Sequence, residues 1–271
     1  MNETLIYEIK EQTAIITLAR PKLLNALDQE SSLELVQALE EAGSDQKVRT
    51  IILTGQGRAF SAGGNVRGML DHLEKNPGQG ASAFFRRVVD LLNRSVLAIR
   101  QAPKPVLAAV NGVAAGGGLG WVLASDLILA TPRARFDAAY IRIAINPDGG
   151  NTFFLPRFLG PWRASELFFL GQALTAEEAL NLGLVNRLTA EENLMDEALS
   201  LARELAGKSA QVLARTKALI NASAFAGLAG QLELEREAIL ASADEPDFEA
   251  GIRAFFDKKS ALKKPAGPQG P

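Results

Sequence analysis

The 271-residue sequence contains no cysteine and a single histidine, His72. Disulfides, thiolate chemistry and cysteine-based metal sites are thereby excluded, as are sites needing several imidazoles, so no metal is expected. No apolar run approaches the roughly 18 residues of a membrane span. A net charge of −2 gives no general attraction to nucleic acid or to an anionic membrane surface. The first residues, MNETLIYEIKEQ, are acidic and polar, unlike a secretory signal or a transit peptide. The expectation is a soluble cytoplasmic protein with neither nucleic acid nor membrane as a partner. Phosphate-cradling motifs are lacking too: the glycine-rich stretches contain no G-x-G-x-x-G and no G-x-x-x-x-G-K-[ST]. At Ser61 the nucleophile pattern G-x-S-x-G fails, because Ala59 stands at its first glycine. His72 lies in the polar, loop-like MLDHLEKNPG and reads as a solvated surface residue.

What is present is globular: 47% of residues are hydrophobic and 22% charged, enough for one large domain or a domain with an appendage. Residues 13–19, 49–55 and 105–112 are short Ile- and Val-rich runs closed by turn signals, and 125–130 and 134–143 look like further strands. Between the first two runs, Asp28 is a plausible N-cap for a helix with Leu33, Val36 and Leu39 on one face. A second amphipathic stretch stops at Pro103. Alternating strands and helices imply an α/β fold. After about Glu191 only amphipathic helices follow, which divides the chain into a core of residues 1–190 and a helical region of 191–271. The basic, then Pro- and Gly-rich tail is expected to be disordered.

Three stretches could carry chemistry. GRAFSAGGN (57–65) and AAGGGLG (114–120) each follow a strand, and the second opens a helix. Three consecutive glycines are costly there, at about 0.5–1 kcal/mol each relative to Ala, so close packing or close approach of a ligand must offset the loss. A helix start carries unpaired N–H groups and the positive end of the helix dipole, which suits developing negative charge. Taken alone, either stretch reads first as a tight strand-to-helix turn. In AINPDGGNTFFLPRFLG (144–160), Asp148 is either a turn-former or a general base with two glycines beside it for close substrate approach.

In this order and spacing the stretches resemble the crotonase superfamily, the enoyl-CoA hydratase/isomerase family. RPKLLNAL (20–27) is similar to its N-terminal segment, GRAFSAGGNVRGM and APKPVLAAVNGVAAGGGLGWVLASDLILA to its two oxyanion-hole loops, FDAAYIRIAINPDGGNTFFLPRFLG to its third active-site segment, and TAEEALNLGLVNRL (175–188) to the signature that follows. The resemblance implies a spiral of ββα turns with a helical C-terminal region that trimerises, giving a homotrimer or a dimer of trimers. It implies an acyl-CoA substrate and no cofactor beyond the CoA of that substrate. By position the oxyanion donors are the backbone N–H groups of Gly64 and Gly117, with Gly116 and Gly118 clearing space for the oxygen, and Asp148 is the catalytic carboxylate. Lys22, Leu24, Ala62, Asn65, Val66, Arg67 and Tyr140 fall at positions that contact substrate or CoA. In RAFFDKKSALKKP (253–265), Phe255, Lys258 and Lys259 would reach the CoA of a neighbouring subunit, the alternative being a solvated basic helix end.

Departures from the family pattern narrow the chemistry. The family's hydratases carry paired glutamates where this chain has Gly120 and Tyr140, and the family usually has Asp where this chain has Asn65. Asp148 falls where several isomerases and the haloaromatic thioester dehalogenases place their carboxylate. The dehalogenases also use a His and a Trp, and Tyr140 stands at the Trp position. The reading is an isomerase that moves a double bond; the alternatives are a hydratase using Asp148 alone and a catalytically idle acyl-CoA-binding paralogue. Pocket shape is assigned to residues 66–80 and to Phe84, Phe85, Tyr140, Phe153 and Phe154, although such aromatics are more often simply core.

Overall fold

A computed structural model of the chain describes residues 4–78 and 81–262, with the backbone alone at residues 83, 139 and 257–262. The tail from residue 263, expected to be disordered, lies outside the described residues. β1 (Leu5–Lys10) and β2 (Thr13–Leu18) form an antiparallel hairpin. β1 is absent from the expected strands because it is an edge: its charged, largely exposed side chains blur the alternation. α1 (Gln29–Ser44) starts where expected, with the Asp28 carboxylate accepting the Ser31 N–H and the Ser31 hydroxyl accepting the Asp28 N–H. Leu35, Val36 and Leu39 make its buried face.

Three turns of one kind follow. The first is β3 (Thr50–Gly55), β4 (Ala59–Ser61) and α2 (Val66–Lys75). After an added helix, α3 (Ser82–Gln101), the second is β5 (Val106–Val110), β6 (Val113–Ala115) and α4 (Gly116–Ala124). The third is β7 (Leu127–Ala130), β8 (Arg135–Asp137), a 3-10 turn at Ala139–Ile143 and α5 (Asn151–Leu159). Then come α6 (Pro161–Leu170), β9 (Ala173–Thr175), α7 (Ala176–Asn181), β10 (Arg187–Leu188) and α8 (Leu194–Ala206). The six-stranded sheet runs β1-β2-β3-β5-β7-β10, parallel from β2 onward, and the four-stranded sheet runs β4-β6-β8-β9. Each turn therefore gives its first strand to one sheet and its second to the other. The resemblance predicted this ββα spiral.

Two expectations need correction. The strand at 134–143 stops at Asp137, because its partner β6 has only three residues before the chain turns into α4. His72 lies in α2 rather than in a loop, half-buried with its ring 4.9 Å from that of Phe84.

Residues 51–53 and 106–110 are buried throughout, as strands covered on both faces must be. One face meets α1, α3 and α4. The other meets α8, where Leu194, Ala198, Leu199, Leu201 and Ala202 cluster with Ile15, Ile52, Leu107 and Leu129. The first compact unit of the chain runs to Lys208 and so takes in α8. Amphipathicity alone could not reveal it, since a helix covering a sheet and a separate helix carry the same pattern. The second unit contains α9 (Ala210–Ser223), α10 (Leu228–Ala243) and α11 (Pro246–Leu262), with Arg215 paired to Glu245 at 2.8 Å. Among the described residues no helix is long and apolar enough to cross a membrane.

Trp121 on α4 is fully buried, and its indole N–H donates to Ser95 on α3 at 2.7 Å. Trp121→Ala should cost about 3–5 kcal/mol through cavity formation. A urea unfolding midpoint equal to wild type would contradict this account of the α3–α4 contact.

Candidate active site

β4, β6 and β8 are parallel neighbours, so the chain leaves the smaller sheet at the same end in three successive turns. The segments that follow them contribute Ala62, Gly64 and Val66, then Gly116 and Gly117, then Tyr140, Ile145 and Asp148 to one cavity of about 210 Å³. α3 closes it with Phe85, Val88, Val89 and Leu92, so most of the wall is apolar.

The Gly64 and Gly117 N–H groups have no acceptor among the described residues. For Gly117 this follows from position: it is the second residue of α4, and the first four N–H groups of a helix have no partner within it. For Gly64 it follows from how its neighbours are held. Ala62 N–H donates to Leu24 O at 2.9 Å, Leu27 N–H to Gly63 O at 2.7 Å, and Asn65 N–H to Leu27 O at 2.9 Å. The bracing segment is tied in turn by the Arg20–Asp28 ion pair at 2.7 Å and by Asn25 Nδ2, which donates to Ala59 O at 2.8 Å. Two unpaired donors at one cavity, one of them at a helix start, suit an oxygen that gains negative charge.

The missing side chains at the start of α4 serve packing as much as access. A Cβ on Gly118 would sit 2.6 Å from the Ser61 side chain, and one on Gly120 would sit 2.3 Å from the Gly149 carbonyl oxygen. The space that a residue 120 side chain would need is therefore filled by the turn that carries Asp148. Gly118 clears room for Ser61; it does not line the cavity.

Among the described residues, Asp148 is the only carboxylate lining the cavity. Its Oδ1 accepts the Tyr140 hydroxyl at 2.8 Å. Burial raises its pKa from the ordinary carboxylate value, and the Tyr140 hydrogen bond opposes this without overcoming it. Burial, and then the charge of Asp148, push the Tyr140 phenol far up, so it remains a protonated donor. Asn151, at the first position of α5 and fully buried, donates through Nδ2 to Tyr140 Oη at 2.9 Å, Asp148 O at 2.8 Å and Gly116 O at 3.1 Å. Arg142, also at the cavity, is engaged with Asp137 at 2.8 Å. A partly buried carboxylate of raised pKa beside two unpaired donors can take up and return a proton. Among the described residues no group of three His, Asp or Glu is placed to hold a metal ion.

The cavity brings together Gly64, Gly117, Asp148, Ala62, Val66 and Tyr140, and leaves Lys22, Leu24, Asn65 and Arg67 out of its lining. Asn65 instead caps α2, accepting the Gly68 N–H at 2.9 Å, and Arg67 pairs with Asp71 at 2.9 Å. Lys22 is exposed, and Leu24 reaches the site only through its carbonyl. Of the aromatics assigned to pocket shape, Phe85 and Tyr140 line the cavity; Phe84, Phe153 and Phe154 do not. Phe255 is an exposed residue of α11 packed edge-on against Phe256. The side chains of Lys258 and Lys259 lie outside the described residues. Asn151 and Arg142 are the polar residues that sequence reasoning passed over. The available signal was an uncharged polar residue directly after Asp-Gly-Gly, at a helix start where the side chain faces inward.

The family model for enoyl-CoA hydratase/isomerase matches residues 8–264. The chain is similar to the 1,2-epoxyphenylacetyl-CoA isomerase of Escherichia coli (strain K12), 34% identical over 260 residues that cover 96% of this chain and 98% of that protein. It is similar also to the crotonyl-CoA hydratase of Syntrophomonas wolfei subsp. wolfei, 31% identical over 261 residues, 96% of this chain and 97% of the other. The crystal structure of an enoyl-CoA hydratase from Polaromonas sp. JS666 superposes with a TM-score of 0.88 at 33% identity, covering 94% of this chain and 97% of that one.

Ionising Asp148 in its partly buried position costs the folded state at any pH above its folded pKa. It costs nothing below the ordinary carboxylate range, where both states are protonated. Asp148→Asn removes the charge and keeps an acceptor for Tyr140, so it should melt higher than wild type at neutral pH. The two melting temperatures should converge as pH falls through the folded pKa. Differential scanning fluorimetry across pH reads this directly, and a gap that widens on acidification would contradict it.

Proposed function

Because the chain belongs to the enoyl-CoA hydratase/isomerase family, we propose that it is an acyl-CoA isomerase that moves a double bond through an enolate. The observation that carries this reading is Asp148, the single carboxylate among the described residues lining one cavity with the unpaired N–H groups of Gly64 and Gly117. With the thioester oxygen on the two donors, Asp148 removes a proton from the carbon beside the thioester of a 3-enoyl ester. The electron pair moves onto the thioester oxygen, where both N–H groups stabilise it. Asp148 then delivers the same proton to the far carbon of the system, the double bond shifts into conjugation, and the oxygen returns to a carbonyl. No atom is gained or lost, and the only coenzyme involved is the CoA of the substrate.

Hydration asks for more than this site holds. Water must be oriented and deprotonated while a proton is delivered to the adjacent carbon, work for which the family's hydratases use two carboxylates. Position 120 cannot supply one here without displacing the Gly149 carbonyl, and at position 140 a phenol occupies the place. The apolar wall of Phe85, Val88, Val89 and Leu92 suits a hydrocarbon acyl chain. Self-association as a homotrimer or a dimer of trimers belongs to the same reading, and the exposed Leu228, Ile239 and Leu240 of α10 are compatible with it.

The test follows 3-enoyl- and 2-enoyl-CoA in parallel in D₂O. Wild type should isomerise the first faster than it hydrates the second. Asp148→Asn should lose roughly 10²–10⁴ of the isomerisation rate, the range typical of general acid–base loss, while still binding CoA esters. Rapid hydration that is indifferent to Asp148→Asn would overturn the reading.

A further inference from the structure

We propose that Asn151 is a positioning residue that joins the two halves of the site, holding the Gly116–Gly117 peptide and the Tyr140 hydroxyl in one hydrogen-bonded frame. The inference rests on the reading of Gly117 as an oxyanion donor and Asp148 as the proton carrier. It adds a residue to which neither role has been attached.

The geometry is compact. Nδ2 of Asn151 lies 3.1 Å from Gly116 O, 2.9 Å from Tyr140 Oη and 2.8 Å from Asp148 O, so its two hydrogens serve three acceptors. Gly116 C=O and Gly117 N–H are opposite ends of one rigid peptide plane. Donating to the carbonyl fixes the direction in which the N–H points and makes that N–H a more polarised donor. On the other side, the Tyr140 hydroxyl accepts from Asn151, which commits its own hydrogen to Asp148 Oδ1 at 2.8 Å. One buried amide thus sets both the donor that receives charge and the group that orients the base.

The amide's orientation is settled by its surroundings. Turning it over would bring its oxygen against the carbonyl oxygens of Gly116 and Asp148, two acceptors facing a third. The orientation adopted leaves Asn151 Oδ1 buried without a hydrogen-bond partner among the described residues. A bare buried acceptor is a cost, and a polar residue kept in spite of it calls for a reason that packing does not give. Arg142, the other charged group at the cavity, is committed to Asp137 and to the Gly171 carbonyl.

Two readouts separate positioning from simple structural support. The first is the infrared carbonyl stretch of hexanoyl-CoA and phenylacetyl-CoA, each with ¹³C at the thioester carbon, bound to the full-length protein. The second is the acid limb of kcat/KM for 3-enoyl-CoA isomerisation. In wild type the bound carbonyl should move to lower wavenumber than in solution. Asn151→Ala and the smaller change Asn151→Ser, whose hydroxyl cannot reach Gly116 O and Tyr140 together, should lose much of that shift. Their turnover should fall by up to about 100-fold, carried by kcat more than by KM, as for a misplaced catalytic group. Their acid limb should move to higher pH, because the carboxylate loses a firmly held donor. Tyr140→Phe should move the acid limb in the same direction and spare the carbonyl shift, which tests the division of roles independently of either Asn151 variant. Folded Asn151 variants with the wild-type carbonyl shift and acid limb would overturn the inference, as would loss of the carbonyl shift in Tyr140→Phe. An unshifted carbonyl in wild type would remove the underlying reading, and the inference with it.

Discussion

Backbone meets backbone at the start of α4, and the site depends on that contact. The first turn of the helix packs so closely on Ser61 and on the Gly149 carbonyl that neither Gly118 nor Gly120 has room for a methyl group. The contact brings the loop after β4 and the turn before α5 against the one place where a helix offers unpaired N–H groups. Larger residues there would separate the three segments, and Gly64, Gly117 and Asp148 would no longer share a cavity. The helix-propensity penalty of consecutive glycines is small beside that loss.

The same contact explains why, among the described residues, the cavity holds one carboxylate. A side chain at position 120 and the Asp-Gly-Gly turn compete for one volume, and here the turn occupies it. Asp148 then sits partly buried in a cavity it shares with Leu, Val and Ile side chains, and burial disfavours its charge and raises its proton affinity. The Tyr140 hydrogen bond moderates that cost without removing it, and Asn151 holds Tyr140 in place. A base that is somewhat unstable when ionised is well suited to taking up a proton and giving it back.

The spiral supplies the rest by repetition. Each ββα turn places a strand end of the smaller sheet beside the previous one, so three loops far apart in sequence arrive at one edge without a long connection. α8 seals the opposite face of the larger sheet, and Trp121 ties α4 to α3, which carries the apolar wall. Rigid strands and a fixed helix start hold the donors; the loops have only to connect them.

Much of this was legible in the chain. The central strands are apolar and β-branched enough to declare themselves, the α1 start is written in Asp28 and Ser31, and the spacing of the three loops identified the family. Gly64, Gly117 and Asp148 were nameable because each lies in a short motif whose meaning is local. The short strands β4, β6 and β9 were not legible, since three residues carry no period and exist only through their partners. Nor was the role of α8, because an amphipathic helix does not say which surface it will cover. The sequence by itself determined the order of the turns and the family, and the resemblance pointed to Gly64, Gly117 and Asp148, which the fold brings to one cavity. Tertiary structure decided that a Gly149 carbonyl fills the space at position 120, that Tyr140 faces Asp148, and that Asn151 meets Gly116 across 35 positions of chain. Those contacts join residues with no local relation to one another, and only the packed fold brings them within reach.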